Sequence, residues 1–309
     1  MTATARPWLR RGLTLLLLAA AALSLAWWSA RAAPARTVPT HLALLLPDGW
    51  SADDVQVQAW QDAAAETGFP LRLLSASELV RAPASHRDAA LVVPDVLHRR
   101  MNDALLAHLE QRVHDGALLM LVHDAGVADM DGHYHPQQSR LSALAGVRYA
   151  LYGSLGAAML REQEAWVDAA ALPLLQLPPG KLLRQAGSVP LTSLQPAPGA
   201  DEALAVAGYQ YGRLRYPVFA TAGAFDGRRL MLGDGGSLLA GEHAVGRGQV
   251  LFVNLPLTYL KLRTDGLFLH SFLRHFAQDM AGLPQLSPMP EARGALVLNW
   301  HIDAAAALP

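Results

Sequence analysis

Six side chains able to bind a metal ion lie in or beside one polar loop that follows a buried apolar run: His123, Asp124, Asp129, Asp131, His133 and His135. Imidazole and carboxylate groups are common ligands of first-row metals. In an extended segment the His133 and His135 side chains lie on the same side. We take His123, Asp124, His133 and His135 as candidate ligands of a divalent, zinc-like ion. The alternative is a solvated Gly/Asp loop in a domain that requires no cofactor, because the spacing matches no known ligand framework.

A second candidate lies near the C-terminus. The apolar run from Gly294 to Ile302 reads as a strand, and it delivers His301 and Asp303 at its carboxyl end. Residues two apart in a strand face the same side, so both could contact one metal ion. A chance strand that ends in His-x-Asp is the alternative.

Short apolar runs alternate with helical patterns in the first half of the chain. Strands are predicted at 41–47, 69–74, 89–94 and 117–122, and helices at 53–68 and 102–114. This alternation predicts an α/β fold with a doubly wound, mostly parallel sheet. In such sheets ligands bind beyond the carboxyl ends of the strands, where the His123 loop begins.

The second half is less regular. An inserted irregular segment is predicted at about 160–215, followed by strands at 216–220, 230–232 and 248–254 and a helix from Asp265 to about Met280. We therefore expect an α/β domain over 36–283, a proline linker over 284–293 and a separate strand over 294–309.

The N-terminus is typical of an exported protein. Arg10 and Arg11 precede an apolar stretch, and Ala30-Arg31-Ala32 provides small residues for a signal peptidase. We expect cleavage near residue 32 or 35 and a periplasmic or extracellular location. The alternative is a membrane anchor formed by residues 12–30, which would be the only membrane contact.

Composition excludes several classes of function. The chain has no cysteine, so it has neither disulfides nor a thiolate nucleophile. Its net charge of −1, with no basic run after the signal, argues against nucleic acid as a partner.

The order of elements resembles the class I glutamine amidotransferase-like fold. The resemblance rests on 90–94, on the glycine-led strand 116–122 with its turn 123–126, and on 246–254. It is similar to the non-catalytic form found beside carbohydrate-active domains, such as the trimerisation domain of some β-galactosidases. Catalytic members carry a cysteine at the turn where this chain has His123-Asp124, so the resemblance implies a domain without amidotransferase activity.

The C-terminal strand resembles the first strand of a polysaccharide deacetylase (NodB-like) domain. In that family an aspartate pair at this strand end supplies a base and a metal ligand, and two later histidines complete the site. The resemblance maps Asp303 onto the metal-binding aspartate, with Ile302 in place of the first aspartate.

The sequence thus predicts an exported envelope protein with a non-catalytic α/β domain attached to a deacetylase module, of which only the first strand is present. Its expected partners are a polysaccharide or glycan and other envelope proteins. The alternative is a glycan- or protein-binding module, or an assembly module, with no catalytic partner.

Overall fold

The computed structural model describes residues 39–81, 89–177, 214–263 and 266–286. The signal segment, Asp265 and the strand that carries His301 and Asp303 lie outside the described residues. Within the described ranges, no helix is long and apolar enough to cross a membrane.

One nine-stranded sheet organises the domain. In chain order the strands are β1 (Leu42–Leu46), β2 (Leu71–Ser75), β3 (Ala90–Val93), β4 (Leu118–Val122), β5 (Leu160–Val167), β6 (Leu214–Phe219), β7 (Arg228–Leu232), β8 (Leu238–Val245) and β9 (Gly248–Val253). Their order across the sheet is β2-β1-β3-β4-β9-β8-β7-β5-β6. The predicted α/β class is confirmed.

The half of the sheet from β2 to β9 is parallel. Its crossover connections carry helices, as parallel pairing requires. The α-helices are α1 (Val55–Thr67), α2 (Ala76–Arg81), α3 (Asp103–His114), α4 (Ser142–Ala145), α5 (Leu172–Leu175), α6 (Leu257–Arg263) and α7 (Leu267–Arg274), which continues as a π-helix over His275–Met280. β4 lies between β3 and β9, so the turn after it is inside the sheet and not at its edge.

The other half of the sheet, from β9 to β6, is antiparallel. β8 and β9 form a hairpin, and a tight hairpin can join only antiparallel strands. β5 lies in the segment predicted to be irregular, where it pairs with both β6 and β7. The predicted parallel layer is therefore extended by four antiparallel pairings into a mixed sheet.

Both faces of the sheet are buried. Along β1, Leu44 packs with Trp60 of α1 and Phe272 of α7, whereas Leu45 packs on the opposite face with Leu109 of α3. The even and odd residues of a strand face opposite sides, so a strand that is apolar throughout must be covered twice. This double coverage explains why β1, β3 and β4 could be predicted from continuous apolar runs.

The caps of α1 lie at the residues that the sequence indicated. The Asp54 side chain accepts a hydrogen bond from the Gln56 N–H at 2.8 Å, and Gly68 ends the helix in the left-handed region with φ 77°. A side chain at Gly68 would collide with the Leu286 carbonyl, so glycine is also required there by close packing.

Candidate functional site

The carboxyl edge of the sheet is the side on which β1, β3, β4 and β9 end. Each antiparallel step reverses direction, so β6 and β7 run the same way as β4 and also end along this edge. Ligands of open α/β sheets bind on this side. Functional groups are therefore expected along the carboxyl edge.

Two non-glycine residues at this edge have a left-handed backbone. Val96, just beyond β3, has φ 66°, and His123, directly after β4, has φ 43°. A β-branched residue in this region is strained, and such strain is found mainly where the surrounding structure imposes it. Here the Asp124 carboxylate accepts the Val96 N–H at 2.8 Å, and the His123 N–H donates to the Val253 carbonyl at 2.7 Å.

His123 occupies the turn directly after the central strand β4, but it is closed off from solvent. Its side chain is buried, and its ring centroid lies 5.1 Å from that of Phe219 at the end of β6. Burial lowers the pKa of His123, which favours the neutral form of the imidazole. The end of β6 is fixed there by Asn254, whose side-chain amide donates to the Phe219 carbonyl at 2.7 Å. β6 therefore covers the carboxyl end of β4.

A buried carboxyl group lies beside this turn. Asp95, after β3, is fully buried and accepts hydrogen bonds from the Thr258 hydroxyl at 2.7 Å and from the Thr258 N–H at 3.1 Å. The Thr258 hydroxyl in turn accepts from the Trp60 indole N–H at 2.8 Å. Burial raises the pKa of Asp95 to about 7.

This Asp95 network was not predicted from the sequence. The only local signal is an aspartate one residue after the strand-ending Pro94. Its partner Thr258 is remote in the chain, so no local pattern could have indicated the contact.

The predicted metal ligands do not come together as one set. In the described part of the chain, the only three potential ligand side chains whose ligand atoms lie within 4.8 Å of one another are those of Asp129, Asp131 and His133. His123 is buried under Phe219, and the Asp124 carboxylate accepts a hydrogen bond from the Val96 N–H. His135 is exposed on the loop.

Asp129 also has a structural role in this loop. One of its carboxylate oxygens accepts the His133 N–H at 2.8 Å, and the other lies 3.6 Å from the His133 Nδ1. Backbone hydrogen bonding lowers the pKa of Asp129. The contact between Asp129 and His133 therefore shapes the turn, and a metal ion is not needed to explain it.

The loop after β1 forms an open depression of about 500 Å³, which includes the partly exposed Trp50. Two of its carboxylates already have structural roles: Asp48 accepts the Ser77 N–H at 3.0 Å, and Asp54 caps α1. Hydrogen bonds from Ser77 lower the pKa of Asp48.

A second cavity, of about 380 Å³, lies at the ends of β6 and β7. We call this cavity the cleft. Its polar and aromatic lining consists of Gln163, Thr221, Phe225, Arg229, Asp234 and Ser237. Gln163 is buried, and its side-chain carbonyl accepts a hydrogen bond from the Ser237 hydroxyl at 2.5 Å.

No protein-family profile matches the sequence, and the search among curated proteins found no similar sequence. A cold-adapted β-galactosidase from Rahnella sp. R3 superposes with a TM-score of 0.50 at 13% identity, over 82% of this chain and 33% of that protein. A β-galactosidase from Bacillus circulans sp. alkalophilus superposes with a TM-score of 0.48 at 11% identity, over 80% of this chain and 32% of that protein. A ThuA-like protein from Bacteroides uniformis superposes with a TM-score of 0.43 at 12% identity, over 80% of this chain and 95% of that protein.

The chain spans about a third of the length of these β-galactosidases. At such low identities a structural likeness establishes the fold alone. The described residues thus form a mixed α/β domain similar in fold to part of the Rahnella β-galactosidase.

Proposed function

We propose that this chain is an exported cell-envelope protein whose α/β domain serves a carbohydrate-active protein without catalysing a reaction itself. The observation that carries the non-catalytic part of the proposal is the burial of His123 under Phe219. Acyl-transfer chemistry at this turn needs a nucleophile that a substrate carbonyl can approach, with a base in hydrogen-bond reach. His123 does not meet the first requirement, because Phe219 covers its imidazole and a substrate carbonyl cannot approach it.

The catalytic partner that we propose is a deacetylase-like module, reached through the proline linker at 284–293. Support for it comes from the sequence alone, because His301 and Asp303 lie outside the described residues. A glycan- or protein-binding module with no catalytic partner is the second candidate, and the open cleft at the ends of β6 and β7 favours it.

The proposal can be tested with the mature chain on insoluble chitin, cellulose and peptidoglycan. We expect it to sediment with at least one of these polysaccharides and to show no glutaminase or esterase activity. A hydrolytic activity that disappears in His123→Ala, but persists in a matched His114→Ala variant, would overturn the non-catalytic assignment.

A further inference from the structure

We propose that the cleft binds a neutral saccharide unit through Arg229, Asp234 and the aromatic ring of Phe225. This inference rests on the proposed function, since it assigns a location and a ligand class to the glycan contact. The cleft has a volume of about 380 Å³, which lies within the range of roughly 300–1,000 Å³ that is typical of small-molecule sites.

The polar wall of the cleft is held in one arrangement. The hydroxyl of Ser237 donates to the side-chain carbonyl of Gln163, and a Cβ at Gly233 would lie 2.4 Å from that carbonyl oxygen and 2.8 Å from the hydroxyl oxygen. Only glycine at 233 leaves room for this pair. The Thr221 hydroxyl is also fixed, because it accepts the Leu238 N–H at 2.7 Å.

The aromatic wall is equally constrained. The Phe225 ring lies edge-on to His243, with 5.4 Å between the ring centroids. It also packs on Gly241, where a Cβ would lie 2.6 Å from the ring. An aromatic ring held in place in this way offers a flat surface with little loss of side-chain entropy on binding.

Other parts of the cleft are open. Gly223, Gly235 and Gly236 have no atom within 4 Å of the position that a Cβ would occupy. A ligand can therefore approach the backbone at these positions without meeting a side chain.

The charges decide the ligand class. Arg229 and Asp234 are both exposed, and among the described residues neither side chain forms an ion pair or a hydrogen bond. A phosphate would be attracted by Arg229 but repelled by Asp234. A metal cation would be attracted by Asp234 but repelled by Arg229. A neutral ligand with several hydroxyl groups suits both, because it can donate to the carboxylate and accept from the guanidinium. A sugar also presents an apolar face to Phe225.

Saturation-transfer NMR and calorimetric titration of the full mature chain test this inference, with N-acetylglucosamine, chitobiose, cellobiose and galactose as probes. We expect saturable binding of at least one saccharide, weakened about tenfold or more in Arg229→Ala and in Asp234→Ala. Arg247→Ala and Asp115→Ala are matched controls, because this ion pair lies at the opposite edge of the sheet. These control variants should bind as the parent does.

Three results would overturn the inference. Saccharide binding that is equal in all variants would place the glycan contact elsewhere and leave the proposed function standing. Binding of glycine or inorganic phosphate in place of the sugars, lost in Arg229→Ala, would make the cleft a site for charged ligands. If no saccharide binds and the parent is not retained on any polysaccharide, both the cleft assignment and the glycan role are wrong.

Discussion

Replacing His275 should lower the free energy of unfolding, because His275 belongs to a buried charge network that connects the π-helix after α7 to β8. The His275 side chain is 1% exposed, and its two ring nitrogens lie 2.8 Å from carboxylate oxygens of Glu242 in β8 and Asp279 in the π-helix. Burial by itself lowers the pKa of His275, but the hydrogen bonds to the two carboxylates outweigh it and raise the pKa above the ordinary value. The two carboxylates therefore favour the protonated, cationic form of the imidazole.

The size of the effect follows from what remains after the change. In His275→Ala, Glu242 keeps Arg228 at 2.9 Å, and solvent partly reaches Glu242 and Asp279. Breaking a buried ion pair by removing one partner typically costs about 3–5 kcal/mol. We expect the lower end here, about 3 kcal/mol, which for a domain of this size corresponds to a decrease in Tm of roughly 6–12 °C.

The pH dependence has a definite sign. Because the folded-state pKa of His275 is raised, its stabilising contribution is complete below the unfolded value of about 6.5 and is lost as the pH rises through the folded value. Urea unfolding of the parent and of His275→Ala at pH 6 and at pH 9 measures this directly. The difference in unfolding free energy should be largest at pH 6.

A His133→Ala variant is the control, because that histidine is 79% exposed and should change stability little at either pH. If His275→Ala destabilises equally at pH 6 and pH 9, the imidazole is acting by packing alone and the charge argument is wrong.

Four further predictions concern other residues. The pKa of Asp95 is raised to about 7, so its ionisation disfavours the folded state as the pH rises from about 4 to 7. The unfolding free energy of Asp95→Asn should therefore increase relative to that of the parent over this range, by up to about 4 kcal/mol. An unfolding free-energy difference between the two proteins that does not change with pH would refute this. Zinc binding by the 129–135 loop should require His133 and not His135, so the heat of zinc binding in calorimetry should disappear in His133→Ala only. Loss of this heat in His135→Ala would instead support the ligand set expected from the sequence. N-terminal sequencing of the envelope fraction should begin near Ala33 or Arg36, and an intact Met1 or Thr2 would establish an anchor instead. When the protein is expressed through its native downstream reading frame, it should deacetylate an N-acetylated glycan and lose that activity in Asp303→Ala; an unchanged rate would contradict the assignment of Asp303 as a metal ligand.

The parts of the fold that could be predicted are those with local signals. β1, β3 and β4 are continuous apolar runs, and α1 and α3 begin at Asp54 and Asn102, whose side chains cap them in the structure. β8 was missed because Gly241 lies in its middle and polar Glu242 and His243 follow, which weakens the strand pattern. α6 was missed because it is only seven residues long and lies next to α7.

The site was harder to predict because its contacts are remote in sequence. The turn at His123 was located from the strand before it, but its burial depends on Phe219, which follows the irregular middle segment. The loop histidines were expected to converge because they are near one another in sequence, whereas their direction depends on how β4 ends. Local patterns identify which residues are polar and do not determine which of them meet.

The pairing of β4 with β9 has a consequence for how the chain folds. Leu118 lies opposite Gln249, so the central parallel strand gains its second neighbour only when the last strand of the sheet arrives. Contacts between such distant segments have a high entropic cost of loop closure, and domains dominated by them fold slowly. Until then the apolar β4 presents a free edge to other chains. We expect a chain that ends before Gly248 to aggregate.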